Sequence, residues 1–234
     1  MIIQAVVVIL AVLLLLIAVF LFRPQWITGL LARGSGVIWL VPTHERVVAL
    51  TIDDGPDPLT TPPILDLLRR YGAHATFFVI SGRVAANEDL VARTIEEGHE
   101  LGNHLNTDDP AILLDPPEFE RQLLASHAVL AQFDDVRWFR PGSGWYHAPM
   151  LATLSQHGYR CVLGSVYPFD PQIRSAWFAA NYVLWNVRPG SIIVLHDHGG
   201  RGLRTAAALA VILPELQRRG LRVVTVSELF AGGS

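Results

Sequence analysis

Two adjacent carboxylates, Asp53 and Asp54, sit where the apolar run Val47-Val48-Ala49-Leu50-Thr51-Ile52 meets Gly55-Pro56. In α/β proteins, catalytic groups are presented at the C-terminal ends of strands. Neighbouring carboxylates there repel each other unless a cation or an arginine lies between them. The stretch Thr51-Ile52-Asp53-Asp54-Gly55-Pro56 therefore predicts a metal ion, an Arg partner, or both. Taken alone it also reads as a turn with two solvated Asp residues, since Asp, Gly and Pro form turns. Later blocks carry the remaining unusual polar residues: His99-Glu100-Leu101-Gly102-Asn103-His104, followed by Asp108; Arg140-Pro141-Gly142-Ser143-Gly144; Asp170; and His196-Asp197-His198-Gly199-Gly200. His104 and Asp108 are four apart, so a single helical turn would place both on one face. With Asp54 they would form a facial set of three ligands that leaves positions open for water and substrate. A metal held there lowers the pKa of bound water to about 7, which creates a nucleophile at neutral pH. His196 ends the buried-strand run Ser191-Ile192-Ile193-Val194-Leu195 and is placed to serve as a general acid. His198 reads either as an extra ligand or as a solvated loop residue, and Asp109 as a loop residue before Pro110.

The elements that must position these groups are legible as alternating patterns. Strand-like runs fall near 47–52, 74–80, 99–103, 136–139, 159–163, 191–195 and 221–226. Helical patterns lie near 62–71, 84–97, 117–133, 148–157, 174–186 and 202–219. Strands alternating with helices predict a parallel α/β arrangement, either a barrel or an open sheet, and pattern alone does not choose between them. Since the polar blocks follow successive strands, they are expected on one rim.

Three segments are expected: an anchor at 1–23, a linker at 24–45 and a catalytic domain at 46–230. The chain has 234 residues, 51% of them hydrophobic, and Met1 to Phe22 holds no charged side chain. About 20 apolar residues span a bilayer core. A cleaved signal peptide has an apolar core of only about 7–15 residues behind a basic start, which this run lacks. An uncleaved, single-pass transmembrane helix is the expectation. Arg23 and Arg33 favour a cytoplasmic flank, whereas a long following domain translocates largely regardless of charge. The linker centres on Gly34-Ser35-Gly36.

All 18 basic side chains are Arg, and the net charge is −3. A globular domain with that balance is a poor nucleic-acid binder, because phosphate neutralisation needs a basic face. The single cysteine, Cys161, lies in an apolar run and reads as a small buried hydrophobe.

Together these blocks resemble the polysaccharide deacetylase family, the NodB-homology carbohydrate esterases, over about residues 45–228. Thr51-Ile52-Asp53-Asp54-Gly55-Pro56 is similar to its first motif, T-F-D-D-G-P. Gly98-His99-Glu100-Leu101-Gly102-Asn103-His104 resembles the second, Arg140-Pro141-Gly142-Ser143-Gly144 the third, Asp170 the fourth and Leu195-His196 the fifth. The resemblance implies a distorted barrel of parallel strands of (β/α)7 type. It implies that Asp53 is the general base, that Asp54 and His104 bind one divalent metal, and that Arg140 orients Asp53. It further implies that His196 protonates the leaving amine with Asp170 tuning it, that Leu195 lines an acetyl pocket, and that a backbone N–H near Ser143 stabilises the oxyanion.

Asp108 stands where the second motif, H-x-x-x-H, closes with His. A site of two carboxylates and one His favours Mn²⁺, Co²⁺ or Fe²⁺ relative to Zn²⁺. Trp145 and Tyr146 are candidates to stack on sugar. The implied activity is removal of N-acetyl groups from an amino-sugar oligo- or polysaccharide, such as a chitooligosaccharide or a cell-wall polymer, by a domain outside the cytoplasm. Deacetylation of O-acetyl esters or of another small amide, and an inactive saccharide-binding domain, are the alternatives.

Overall fold

The structure, a computed structural model, describes residue 4 and residues 6–13 and 36–232. Seven parallel strands form one sheet: β1 (Val47–Asp53), β2 (Thr76–Val79), β3 (Glu100–Asn103), β4 (Trp138–Phe139), β5 (Arg160–Cys161), β6 (Ile192–His196) and β7 (Arg222–Val224). The order is β5-β4-β3-β2-β1-β6, with β7 paired to the first half of β1 and β2 to its second half. β1 is buried at every position, as a central parallel strand covered on both faces must be. The sheet curls, and isolated bridges span the gap between its edges. Ile38 pairs with Val162, Leu40 with Ser191 and Val166 with Ile193.

Seven helices of six residues or more lie between or after the strands among residues 36–232. They are α1 (Thr61–Arg70), α2 (Glu88–Glu96), α3 (Pro116–Leu130), α4 (Ala148–Gln156), α5 (Ala176–Asn186), α6 (Gly199–Arg218) and α7 (Val226–Ala231). Their starts follow local chemistry. Asp115 accepts the Glu118 N–H ahead of α3, and Thr225 with Glu228 forms a capping box on α7. α1 starts with proline in its first turn and buries Ile64, Leu65 and Leu68.

Period-two alternation along the strands sorts their side chains into two cores. Val48, Leu50, Ile52, Phe77, Leu101, Phe139, Ile193 and Leu195 join the helix-facing cluster, with Leu65, Phe119 and Leu209. Val47, Ala49, Phe78, Trp138, Val162, Ile192 and Val224 form a second cluster inside the curl, closed from below by α7 through Val226 and Leu229. Gly102 is on this inner side because a Cβ there would come within 2.5 Å of the Phe78 ring. The inner set continues upward along β1 to Thr51 and Asp53 and along β6 to Val194 and His196.

The expected linker, 24–45, changes character where it is described. Val37, Ile38 and Val41 are buried against the sheet, so the packed domain begins before residue 46. Apolar side chains at the open seam of the curl account for this, since the sheet edge there has no neighbouring strand to cover it. The expected anchor, 1–23, lies mostly outside the described residues. Among the described residues, no helix is long and apolar enough to cross a membrane.

Candidate active site

Asp53 and His196 are direct partners in the β1–β6 register, and Asp197 N–H donates to the Asp53 carbonyl at 2.7 Å. Both side chains belong to the inner face at the C-terminal end of the sheet. Arg140, directly after β4, reaches across the curl to Asp53, its Nη1 2.5 Å from Asp53 Oδ1. The same nitrogen donates to Thr51 Oγ1 at 2.7 Å, Nε to the Val162 carbonyl at 3.0 Å and Nη2 to the Leu163 carbonyl at 2.5 Å. Its guanidinium carbon lies 4.1 Å from the centroid of the Phe78 ring. Four polar contacts and an aromatic face fix this buried cation, and Asp53 is held with it.

Strict alternation would turn Asp54 toward the helices. Instead its φ of 74° breaks the alternation and brings its carboxylate round to the rim. His104, one residue past β3, has Nδ1 2.7 Å from the Arg140 carbonyl, which leaves Nε2 facing Asp54 Oδ1 at 3.5 Å. One ligand atom from each of Asp54, His104 and Asp108 lies within 4.8 Å of the others. Burial would raise the Asp54 pKa, but the His104 hydrogen bond and the charges of His104, His196 and Arg201 hold it at about 2. Burial would lower the His104 pKa, yet the hydrogen bond to Asp54 and the charges of Asp53 and Asp54 raise it. Two carboxylates and an imidazole whose other nitrogen is committed to a carbonyl are a donor set that fits a divalent cation.

His196 Nδ1 lies 3.0 Å from both carboxylate oxygens of Asp170, and the His196 backbone N–H donates to Asp170 Oδ2 at 3.1 Å. That fixes the tautomer and leaves Nε2 as the atom available to the cleft. Burial alone would depress the imidazole, but Asp170 outweighs it and raises the pKa to about 9. His196 therefore carries its proton at neutral pH.

Several expectations change. His104 and Asp108 do not share a helical turn: residues 104–110 form a bent loop with Leu105 at φ 61°. The loop still delivers Asp108 to the cluster, because Asn103 Oδ1 accepts the Leu105 N–H at 2.9 Å and shapes the turn. The family resemblance places Leu195 in the wall of an acetyl pocket. It is fully buried in the helix-facing core, one residue out of phase with His196, and period two makes that placement unavoidable. Ser143 is exposed in the 3₁₀ turn Gly142–Gly144, with φ 64°. Trp145 is 67% exposed, whereas Tyr146 packs partly against the core. His198 is neither a free loop residue nor a neighbour of the ligand cluster: its Nδ1 lies 2.9 Å from Asp57 Oδ2.

Two groups escaped the sequence reading. Asp197 is fully buried and accepts from Thr60 Oγ1, Thr61 Oγ1 and the His198 N–H. Arg201, in the first turn of α6, contacts both Asp54 and Asp108. The charge pattern holds a signal for the second, because the sequence puts four carboxylates, Asp53, Asp54, Asp108 and Asp170, on one rim with a single arginine, Arg140.

Comparison with known proteins points to one family. Residues 41–162 fit the family model described as polysaccharide deacetylase. A peptidoglycan-N-acetylglucosamine deacetylase of Bacillus cereus is 41% identical over 196 residues, 82% of this chain and 92% of that protein. Among solved structures, a peptidoglycan N-acetylglucosamine deacetylase superposes with a TM-score of 0.79 at 31% identity, covering 84% of this chain and 93% of the other. A family 4 acetyl xylan esterase from Clostridium thermocellum, solved with a cobalt ion, gives a TM-score of 0.73 at 32% identity, covering 79% and 90%. The family-model match over residues 41–162, with a relative 41% identical over 82% of this chain and 92% of its own length, places this chain and its curled parallel sheet in the polysaccharide deacetylase family.

Proposed function

We propose that this protein is a metal-dependent hydrolase that removes acetyl groups from the N-acetylated amino sugars of an oligo- or polysaccharide, with a cell-wall polymer as its natural substrate. The observation that carries the reading is the separation of three jobs on one rim. Asp53 is locked to Arg140, His196 to Asp170, and Asp54 joins His104 and Asp108. A divalent cation held by Asp54, His104 and Asp108 would supply Lewis acidity for the acetyl carbonyl and a lowered pKa for water. Asp53 accepts a proton from the attacking water, and Arg140 fixes the direction of that carboxylate. The backbone N–H of Ser143, at the centre of the Gly142–Gly144 turn, is the donor for the developing oxyanion, the Gly144 N–H being held by the Pro141 carbonyl at 3.0 Å. As the C–N bond breaks, His196 Nε2–H passes its proton to the amine, and Asp170 stabilises the imidazolium beforehand. Acetate and a free amino sugar are the products. Trp145 and Tyr146, just past the turn, offer aromatic surface to neighbouring sugar rings.

The fold serves this chemistry as an open, distorted (β/α)7 barrel. Residues 1–23 would form a membrane anchor that keeps the catalytic domain, which takes in the buried Val37, Ile38 and Val41, outside the cytoplasm, where a wall polymer lies. The cobalt-bound acetyl xylan esterase among the relatives favours a second reading, hydrolysis of O-acetyl esters at the same site.

One set of assays tests both. Elemental analysis of the purified full chain, loaded with Mn²⁺, Co²⁺ or Zn²⁺, should show about one bound ion. Acetate release should be faster from N-acetylated chitooligosaccharides and peptidoglycan than from acetylated xylan, and the opposite preference selects the ester reading. Asp53→Asn should lower turnover by about 10²–10⁴-fold while the bound metal is retained. A fully active variant rejects Asp53 as the base.

A further inference from the structure

Arg201 is a cation placed between two of the three candidate metal ligands. Its Nη1 donates to Asp54 Oδ2 at 2.7 Å and its Nη2 to Asp108 Oδ2 at 3.0 Å. The two carboxylates depend on it to different degrees. Asp54 is buried and held from several sides. Its N–H donates to the Phe78 carbonyl at 3.1 Å, its carbonyl accepts from Arg83 Nη1, and its Oδ1 faces His104. Asp108 lies on the bent segment 106–109 with 39% of its side chain exposed, and Arg201 is its one side-chain hydrogen-bond partner among the described residues.

The turn that carries Arg201 is itself fixed to the loop after β1. Asp57 accepts the Gly199 N–H at 3.0 Å and pairs with His198. A Cβ on Gly202 would come within 2.4 Å of Thr60 Oγ1 and 2.5 Å of Asp197 Oδ1, so glycine alone permits this approach. Arg201 thus projects from a clamped helix start.

We infer that Arg201 is a positioning residue of the metal site, holding Oδ2 of Asp54 and Oδ2 of Asp108 so that both carboxylates stay turned toward His104. This rests on the assignment of Asp54, His104 and Asp108 as the ligand set proposed above. The physics has two parts. A ligating carboxylate needs a partner for its second oxygen to keep its orientation. Two carboxylates brought within 4.8 Å also repel, and an exposed one swings into water unless a cation holds it. Arg140 neutralises Asp53, and Arg201 does the same for the pair that remains. The opposing possibility is a competitor, a guanidinium that a metal ion must evict. The two make opposite predictions for affinity.

The test measures Co²⁺ affinity by calorimetry and the Co²⁺ visible spectrum on full-length wild type, Arg201→Gln, Arg201→Lys, Asp108→Ala and the Arg201→Gln/Asp108→Ala double variant, with circular dichroism as the folding control. Arg201→Gln should bind Co²⁺ about 10–100-fold more weakly. Its spectrum should move to that of Asp108→Ala, the double variant should bind no worse than Asp108→Ala, and Arg201→Lys should recover part of the loss. Equal or tighter binding by Arg201→Gln, or losses that add in the double variant, overturn the inference while leaving the ligand set intact. If wild type binds no Co²⁺, the ligand set fails and the role of Arg201 falls with it.

Discussion

Asp170 does two things to His196: it receives Nδ1 and the backbone N–H, and it places a buried anion next to the imidazole. The consequence is a pH dependence with a definite sign. With its pKa raised to about 9, His196 remains protonated through neutrality and loses its proton only on the alkaline side. Acetate release should therefore hold up through pH 8 and fall as pH rises through about 9. Asp170→Asn removes the anion, so the alkaline limb of the pH–rate profile should move toward neutrality. A limb that stays in place would detach Asp170 from the proton donor. The same pair stabilises the fold fully below the ordinary His pKa of about 6.5, and that contribution is lost as pH rises through about 9.

At the scale of elements, unusual backbone conformation collects at one end of the sheet. Among the described residues, the non-glycine residues with positive φ are Asp54, Leu105, Ser143, Phe169 and His198. They follow β1, β3, β4, β5 and β6 in turn, each within eight residues of its strand's end. Left-handed backbone costs about 1–3 kcal/mol at a residue with a Cβ and persists where its surroundings over-determine it. Here those surroundings are hydrogen bonds between loops. Asp197 joins the loop after β6 to Thr60 and Thr61 at the start of α1, and Asp57 returns the contact to Gly199. Asp197→Ala leaves two buried threonine hydroxyls without their acceptor. It should lower unfolding free energy by about 2–3 kcal/mol, read as a reduced urea midpoint at unchanged slope. A midpoint equal to that of wild type would show that these loops hold their shape without it.

For the whole molecule, the consequential step is from the domain to its place in the cell. Met1 to Phe22 is long enough to cross a bilayer, and a single such helix would tether the rim close to a membrane surface. The full chain should sediment with membranes and resist extraction by high salt, and removal of residues 1–23 should release a soluble domain that still liberates acetate. External protease should digest the domain in spheroplasts if it faces outward. A salt-extractable full chain would rule out a spanning helix.

Much of the architecture could be read from local pattern. The strand positions, the alternation with helices, and the placement of Asp53, His104, Arg140 and His196 after successive strands depend on runs of a few residues, whose burial the hydrophobic effect dictates wherever the chain folds. Period two also contained the phase of Leu195, since a neighbour of inward-facing His196 must face outward. What local pattern does not contain is which distant charges share a pocket. Arg201 lies 147 residues from Asp54 and 93 from Asp108, and its turn carries no mark beyond its glycines. The β1–β6 register and the clamp between the β1 and β6 loops set that meeting. The bent loop after β3, which brings Asp108 within reach without a helical turn, is equally a product of packing. The sequence by itself determined the chemical groups and the rim they occupy, because side-chain type and hydrophobic period are local. Only the tertiary structure decided their pairing, because the strength of a charge contact depends on its distance and burial, and both are set by chain segments far apart in sequence.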